Sequence, residues 1–314
     1  MNKDKVLGIL PVSIGGRLTI SSIFDGFRQN GYTVDVFDEL SNNNFSNYLK
    51  KEYKFIAGYG FSPVILKKKY NLKLISINYF SDVIESKTSG AGELWSEYLS
   101  TLNEPDNYNF YWDRELSIQS KINNLYYMPH FVNTDIYNDL QLEKNVDIMF
   151  AGRLDTDLRL NTFIDLMQEF PQLNFAWYAI QKHYDDALKR TDRKDLIRKA
   201  YKGFIDNEID MAKALNNAKI VFNINAQGIS SLNYRTFQAS ACKTLVISDY
   251  RTECGQLFQG KMPYYADFED LISKIKYFLQ NKQAYDTAVN GCYDIVTTRH
   301  NSKTCVKMML NVIH

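Results

Sequence analysis

No two cysteines in this 314-residue chain have the CxxC spacing, and the four present (Cys242, Cys254, Cys292 and Cys305) all lie in the C-terminal quarter. That spacing describes free thiols in a reducing compartment rather than a disulfide framework. Histidine is as sparse, with four residues, and His183, His300 and His314 lack ligating neighbours for a His/Cys zinc site. Charge surplus is also lacking: 37 Lys and Arg against 36 Asp and Glu leave a formal net charge of +1. Such a balance gives no global reason to expect nucleic acid or an acidic partner. No run approaches the ~20 apolar residues that cross a bilayer. The first apolar run, Val6 to Val12, is shorter than the apolar region of a secretory signal. A cytoplasmic protein is therefore expected. Walker A, GxSxG, HExxH and GxGxxG patterns are all missing.

What is present is apolar substance. Hydrophobic residues make up 45% of the chain and charged ones 23%, enough to bury the cores of two ordinary domains. Short apolar runs alternate with stretches of helical spacing. Val6 to Leu10 reads as a strand buried on both faces, followed by Gly15-Gly16 and a helix from about Leu18 to Asn30 that Gly31 stops. Thr33–Phe37, Phe55–Gly58 and Leu74–Ile77 read as further strands, with a helical segment after Pro63. Residues 86–124 have weak periodicity and read as a partly helical excursion before the strand Leu125–Met128. Residues 133–145 are polar and read as a connection. Then Val146–Ala151, Leu173–Tyr178, Ile220–Ile224 and Thr244–Ile247 form a second strand series. Leu160, Phe163, Ile164 and Met167 mark one apolar helix face, and Leu271, Ile272, Ile275 and Phe278 another. Strand–helix alternation predicts α/β architecture with parallel sheets. The expected division is a domain over 1–140, a second over 141–298 and a final helix over 299–314.

In open parallel sheets ligands bind beyond the carboxyl ends of the strands. Gly15, Gly16 and Arg17 after the first strand are candidates for the substrate side, with a plain tight turn as the alternative. Arg153 and Arg159 carry guanidinium forks that match phosphate oxygens, with surface ion pairs as the alternative. The Asp155-x-Asp157 pair between them reads as helix-start chemistry rather than a metal site. The most informative run is Asn223 to Arg235. There a buried strand enters a loop with Gly228, Ser230, Ser231, Leu232 and Asn233, and this opens a helix carrying Arg235. Backbone donors, hydroxyls and a cation in that order suit a diphosphate. Asp249, at another strand end, is a candidate for a ribose hydroxyl. Asp82 sits where a carboxylate could take a proton from an acceptor, and His130 is a second catalytic candidate or a backbone ligand. Lys67–Lys69 and the mixed-charge run Lys189–Lys199 read as solvated helix faces that anionic lipid could also meet.

The run Asn233-Tyr234-Arg235-Thr236-Phe237-Gln238-Ala239-Ser240-Ala241-Cys242, with Leu245–Asp249, Gln256–Phe258 and Tyr265–Leu271, resembles the CgeB-like (spore maturation protein) glycosyltransferases. These are relatives of the group-1 and family-4 enzymes of GT-B fold. Met128–Asn133, Asp147–Gly152 and Arg299-His300-Asn301 extend the resemblance over roughly residues 125–312. It implies two Rossmann-like domains with parallel sheets facing a central cleft, and a nucleotide-sugar donor held by the C-terminal one. It further implies a hydroxyl acceptor (glycan, lipid-linked sugar or protein) and no cofactor or metal. In the family a Glu commonly stands where this chain has Gln238 and holds the donor ribose; a second Glu of retaining relatives falls on Ser230, and a Gly falls on Lys243. Those departures leave a non-catalytic sugar-binding or regulatory homologue as the alternative, and an epimerase or phosphorylase as a third reading.

Overall fold

The computed structural model describes residues 4–41, 44–82 and 91–314. Met1–Lys3 and the opening of the 86–124 stretch lie outside the described residues. Two compact units emerge. One comprises the chain up to Asn133, residues Gln227–Leu232 and Thr298–His314; the other comprises Thr134–Ala226 and Asn233–Thr297.

In the first unit the chain forms β1 (Lys5–Leu10), α1 (Ile14–Gln29), β2 (Thr33–Asp38), β3 (Phe55–Tyr59), α2 (Ser62–Lys69) and β4 (Ile75–Phe80). It continues through α3 (Ala91–Leu102), β5 (Asn107–Tyr111), α4 (Arg114–Gln119) and β6 (Leu125–Tyr127). The six strands pair in parallel in the order β2-β1-β3-β4-β5-β6. β1 is an uninterrupted apolar run because helices cover both faces of such a sheet. α1 starts earlier than its apolar spacing suggests, since the Ser13 hydroxyl accepts from Gly16 N–H and caps the helix at 3.3 Å. Gly31, at φ 89°, ends it as expected. Phe27, Phe55 and Phe110 are fully buried in this core, each worth about 2 kcal/mol of transfer free energy.

The 86–124 excursion hides β5 because one of its two buried faces is polar. Asn107 and Asn109 are fully buried, and the Asn107 Oδ1 accepts from Ser76 Oγ at 2.6 Å and Lys67 Nζ at 2.8 Å. Asn78 Nδ2 donates to Asn109 Oδ1 at 3.0 Å, and Asn107 Nδ2 donates to the Thr101 carbonyl. Lys67 is thus buried and not part of a solvated face; burial pulls its ammonium below the usual lysine range.

The second unit contains β7 (Val146–Ala151), α5 (Asp157–Glu169), β8 (Phe175–Tyr178), α6 (Gln181–Lys189), α7 (Lys194–Ala200), α8 (Glu208–Asn216) and β9 (Ala218–Asn223). α9 (Tyr234–Ala241), β10 (Leu245–Asp249), α10 (Thr252–Phe258), β11 (Tyr264–Tyr265), α11 (Phe268–Gln280) and most of α12 (Lys282–Arg299) complete it. Its parallel order is β11-β10-β9-β7-β8. Leu160, Phe163, Ile164 and Met167 are buried as their spacing requires, against Phe175, Trp177 and Phe222. The last helix, α13 (Ser302–Ile313), packs in the first unit against α1, with Cys305, Val306, Met309 and Leu310 in its core. All four cysteines are buried and unbridged. No helix among the described residues is long and apolar enough to cross a membrane.

Candidate functional site

Strand order reverses between β7 and β9 in the second unit, which opens a crevice position at their carboxyl ends. Arg159, near the start of α5, fills it. Its Nη1 donates to the Arg153 carbonyl at 3.1 Å and to Asp155 Oδ1 at 3.3 Å, and its Nη2 donates to the Ile224 carbonyl at 2.5 Å. The guanidinium thus bridges the ends of both strands. It is 7% exposed, and burial lowers its pKa, although Asp155 offsets part of that. Its buried Nε–H has no partner among the described residues. Arg153 is more exposed and pairs with Asp155 at 3.3 Å, while Asp157 pairs with Arg190 at 2.6 Å. Arginines therefore engage both carboxylates of the Asp155-x-Asp157 pair.

A polar lattice continues along the same sheet edge. Asp249 Oδ1 accepts from Asn225 N–H at 2.8 Å and Asn225 Nδ2 at 2.7 Å, and its Oδ2 accepts from Arg251 Nε at 3.2 Å. Asn233 caps α9: its Oδ1 accepts from Thr236 N–H at 3.3 Å, and its Nδ2 donates to Asn223 Oδ1 at 2.5 Å. One turn on, Arg235 Nη1 donates to Gln238 Oε1 at 2.6 Å. Arg235 was expected to point at a diphosphate; the structure turns it onto its own helix. Lys243 follows α9 with φ 49°, the left-handed conformation that suits glycine, and its ammonium reaches Asp139 at 3.2 Å.

The loop 227–232 belongs to the first unit, and an unanticipated residue explains why. Asp113 caps α4, accepting from Leu116 N–H at 2.9 Å, and is fully buried. Its Oδ2 accepts from the N–H groups of Ile229, Ser230 and Ser231 at 2.8, 3.0 and 3.0 Å, and its Oδ1 accepts from Ser230 Oγ at 3.1 Å. Burial pushes the Asp113 carboxyl up, but these hydrogen bonds outweigh it and hold the pKa below the usual carboxylate value. Gly228, at φ 82°, lets the backbone close on it, since a Cβ there would sit 2.7 Å from Asp113 Oδ2. Leu232, Ser230 and Ser231 are buried with the loop. Donors of Ile229, Ser230 and Ser231, in the loop expected to meet a diphosphate, are thus engaged by a carboxylate of the chain itself. No local pattern could reveal this, because the partners lie over a hundred residues apart and Asp113 follows a strand without apolar alternation.

In the first unit the strand order reverses between β1 and β3. Gly15 and Gly16 lie in the first turn of α1 there. A Cβ on Gly16 would meet the Tyr59 ring at 2.9 Å, whereas Gly15 faces open space. The Tyr59 hydroxyl donates to Asp82 Oδ2 at 2.5 Å, so Gly16 and Asp82 are joined through that ring. Arg17 is not free for a substrate: it forks onto Asp38 at 2.8 and 2.6 Å and onto the Pro11 carbonyl at 3.0 Å. His130 is 4% exposed with Nδ1 3.3 Å from the Tyr79 hydroxyl, and burial holds its pKa down at about 3. A neutral imidazole packed against Tyr79 and the Trp112 edge is placed to hold β6's exit, away from Asp82's contacts.

Residues 159–311 match the family model described as Glycosyl transferase-like. The first matched residue is Arg159 and the span includes Asn223, Asn233, Gln238 and Asp249. The chain has the fold of GT-B glycosyltransferases, and its C-terminal part carries the glycosyl transferase-like match. No curated protein matches its sequence. Among solved structures, sucrose-phosphate synthase from Thermosynechococcus elongatus is similar at a TM-score of 0.73 and 12% identity, covering 99% of this chain and 98% of that one. A glycosyltransferase from Rickettsia africae is similar at a TM-score of 0.66 and 12% identity, covering 99% and 98%. An alpha-glucosyltransferase in complex with UDP and a 13-mer DNA containing an HMU base is similar at 0.72 and 13%, covering 99% and 100%. At such identities the structural likeness speaks for fold; the glycosyltransferase's donor and acceptor are not carried with it.

Proposed function

We propose that the second unit of this glycosyltransferase binds a nucleoside-diphosphate sugar at the β7/β9 crevice and that the enzyme passes the sugar to a hydroxyl of a glycan, lipid-linked sugar or protein. The observation that carries this reading is Arg159: a buried cation at the strand-order reversal, with one N–H still lacking an acceptor among the described residues. A phosphate oxygen satisfies that donor and the charge together. Arg153 and the N-terminus of α9, capped by Asn233, supply further attraction for the diphosphate, so the leaving group is stabilised without a metal. Gln238 and Asp249 are assigned to the ribose. Asp82 is assigned as the general base, its carboxylate oriented by Tyr59. Gly15 lies open on the acceptor side. The loop of Gly228, Ser230, Ser231 and Leu232, held by Asp113 within the first unit, is not assigned to phosphate. UDP in the complex of the alpha-glucosyltransferase neighbour supports the donor class, and the motif run from Asn233 to Cys242 supports kinship with the CgeB-like enzymes.

The test is a thermal-shift panel of UDP, GDP, dTDP and CDP sugars. A ligand at ~100 times its dissociation constant adds about 2.7 kcal/mol of stability. One donor is expected to shift the wild type and to lose that shift in Arg159→Ala. If no member of the panel moves the wild-type melting temperature, the donor reading fails.

A further inference from the structure

Gln238 is fully buried, yet its Nε2 has no hydrogen-bond partner among the described residues. Buried amide groups are normally satisfied, so this orphan requires an explanation. Its orientation is not arbitrary. Arg235 stands three residues earlier on the same face of α9 and donates from Nη1 to the amide oxygen at 2.6 Å. A guanidinium has five donors and no acceptor, so only the oxygen of the amide can face it. Flipping the amide would set N–H against N–H. The NH2 group must therefore point away from Arg235, and that is the orphaned atom. Arg235's own Nε–H is likewise buried and without a partner among the described residues. Two buried donors on neighbouring turns of α9 thus stand without an acceptor among the described residues.

We infer that Arg235 is a positioning residue that locks the Gln238 amide as an obligate hydrogen-bond donor, so that this position selects a nucleoside diphosphate through an acceptor oxygen on its ribose. The inference rests on the reading of the second unit as the donor site. A carboxylate here would accept hydrogen bonds only, and a ribose hydroxyl would have to give up its proton to it. The locked amide reverses that polarity: the hydroxyl oxygen accepts, and its proton is left for another partner. Arg235 then shapes selectivity without touching phosphate.

The polarity is readable with ribose analogues. Fluorine keeps a weak acceptor at the position of a hydroxyl and removes the donor; hydrogen removes both. Dissociation constants are measured by calorimetry for the wild type, Gln238→Glu and Arg235→Met, using UDP and its 2′-deoxy, 2′-fluoro, 3′-deoxy and 3′-fluoro analogues. GDP or dTDP serves instead if it binds the wild type better, with those analogues its sugar allows. At one ribose position the fluoro compound is expected to stay within about threefold of the hydroxyl compound for the wild type and to weaken at least tenfold for Gln238→Glu. Arg235→Met, whose amide can turn over, should fall between the two. Equal fluoro-to-hydroxyl ratios in all three proteins would overturn the inference while leaving the donor site intact. Failure of every diphosphate to bind the wild type would overturn the donor reading and this inference together.

Discussion

At the scale of single residues, the carboxylate of Asp113 concentrates more structure than any other group described. It accepts from the N–H groups of Ile229, Ser230 and Ser231. Asp113→Ala removes three backbone hydrogen bonds, two of them buried, each worth roughly 1 kcal/mol, so a loss of about 2–3 kcal/mol is expected in urea denaturation at pH 7. A loss below about 1 kcal/mol would mean that water or another group takes over the role. His130 acts in a different direction. The folded chain holds its imidazole at about 3, and His300 at about 4, both by burial. On unfolding, each returns toward ~6.5. Below that value the unfolded chain binds protons that the folded chain refuses, so stability falls as pH drops from about 6.5 toward 4 and is unaffected above it. His130→Gln should flatten part of that fall in a series of melting curves; parallel curves for variant and wild type would contradict it.

Elements show where a glycine is needed and where it is not. Gly26 lies on the face of α1 that meets α13, and a Cβ there would come within 2.4 Å of the Ser302 carbonyl and of Val306 Cγ2. Gly15, in the first turn of the same helix, has nothing within 4 Å. Helix propensity favours alanine over glycine by about 1 kcal/mol at both. Packing decides the outcome: Gly15→Ala should raise stability by roughly 0.5–1 kcal/mol, and Gly26→Ala should lower it by about 1–3 kcal/mol. Equal shifts of one sign would show that α1 and α13 adjust freely. The same contrast of pattern and packing governs what could be read beforehand. β1, β7, α5 and α11 announce themselves through apolar periodicity, since one stripe or one run must be buried. β5 does not, because Asn107 and Asn109 exchange apolar burial for a hydrogen-bonded cluster with Ser76, Asn78 and Lys67. Within the candidate site, strand ends and helix starts nominate Arg159, Asn233 and Asp249, and the family resemblance alone nominates Gln238. Asp113, Tyr59 and Asp38 are not legible in this way, because what they bind is set by tertiary placement and not by their neighbours in sequence.

Across the whole molecule, neither unit is a continuous length of chain. The first takes in α13, whose Val306 and Met309 are fully buried in its core. Ending the chain at Thr297 removes that helix and bares the apolar face of α1. The truncated protein is expected to lose the first unit's cooperative unfolding and to expose dye-binding surface, while the second unit, complete by Thr297, keeps its own transition. Retention of two native transitions would show α13 to be an accessory. The dependence also sets an order in time. On the ribosome the sheet of the first unit emerges before any residue of the second, yet its capping helix and the loop that Asp113 holds arrive only with the last third of the chain. The unit made first is therefore completed after the other, and until α13 has emerged it waits with the α1 face uncovered.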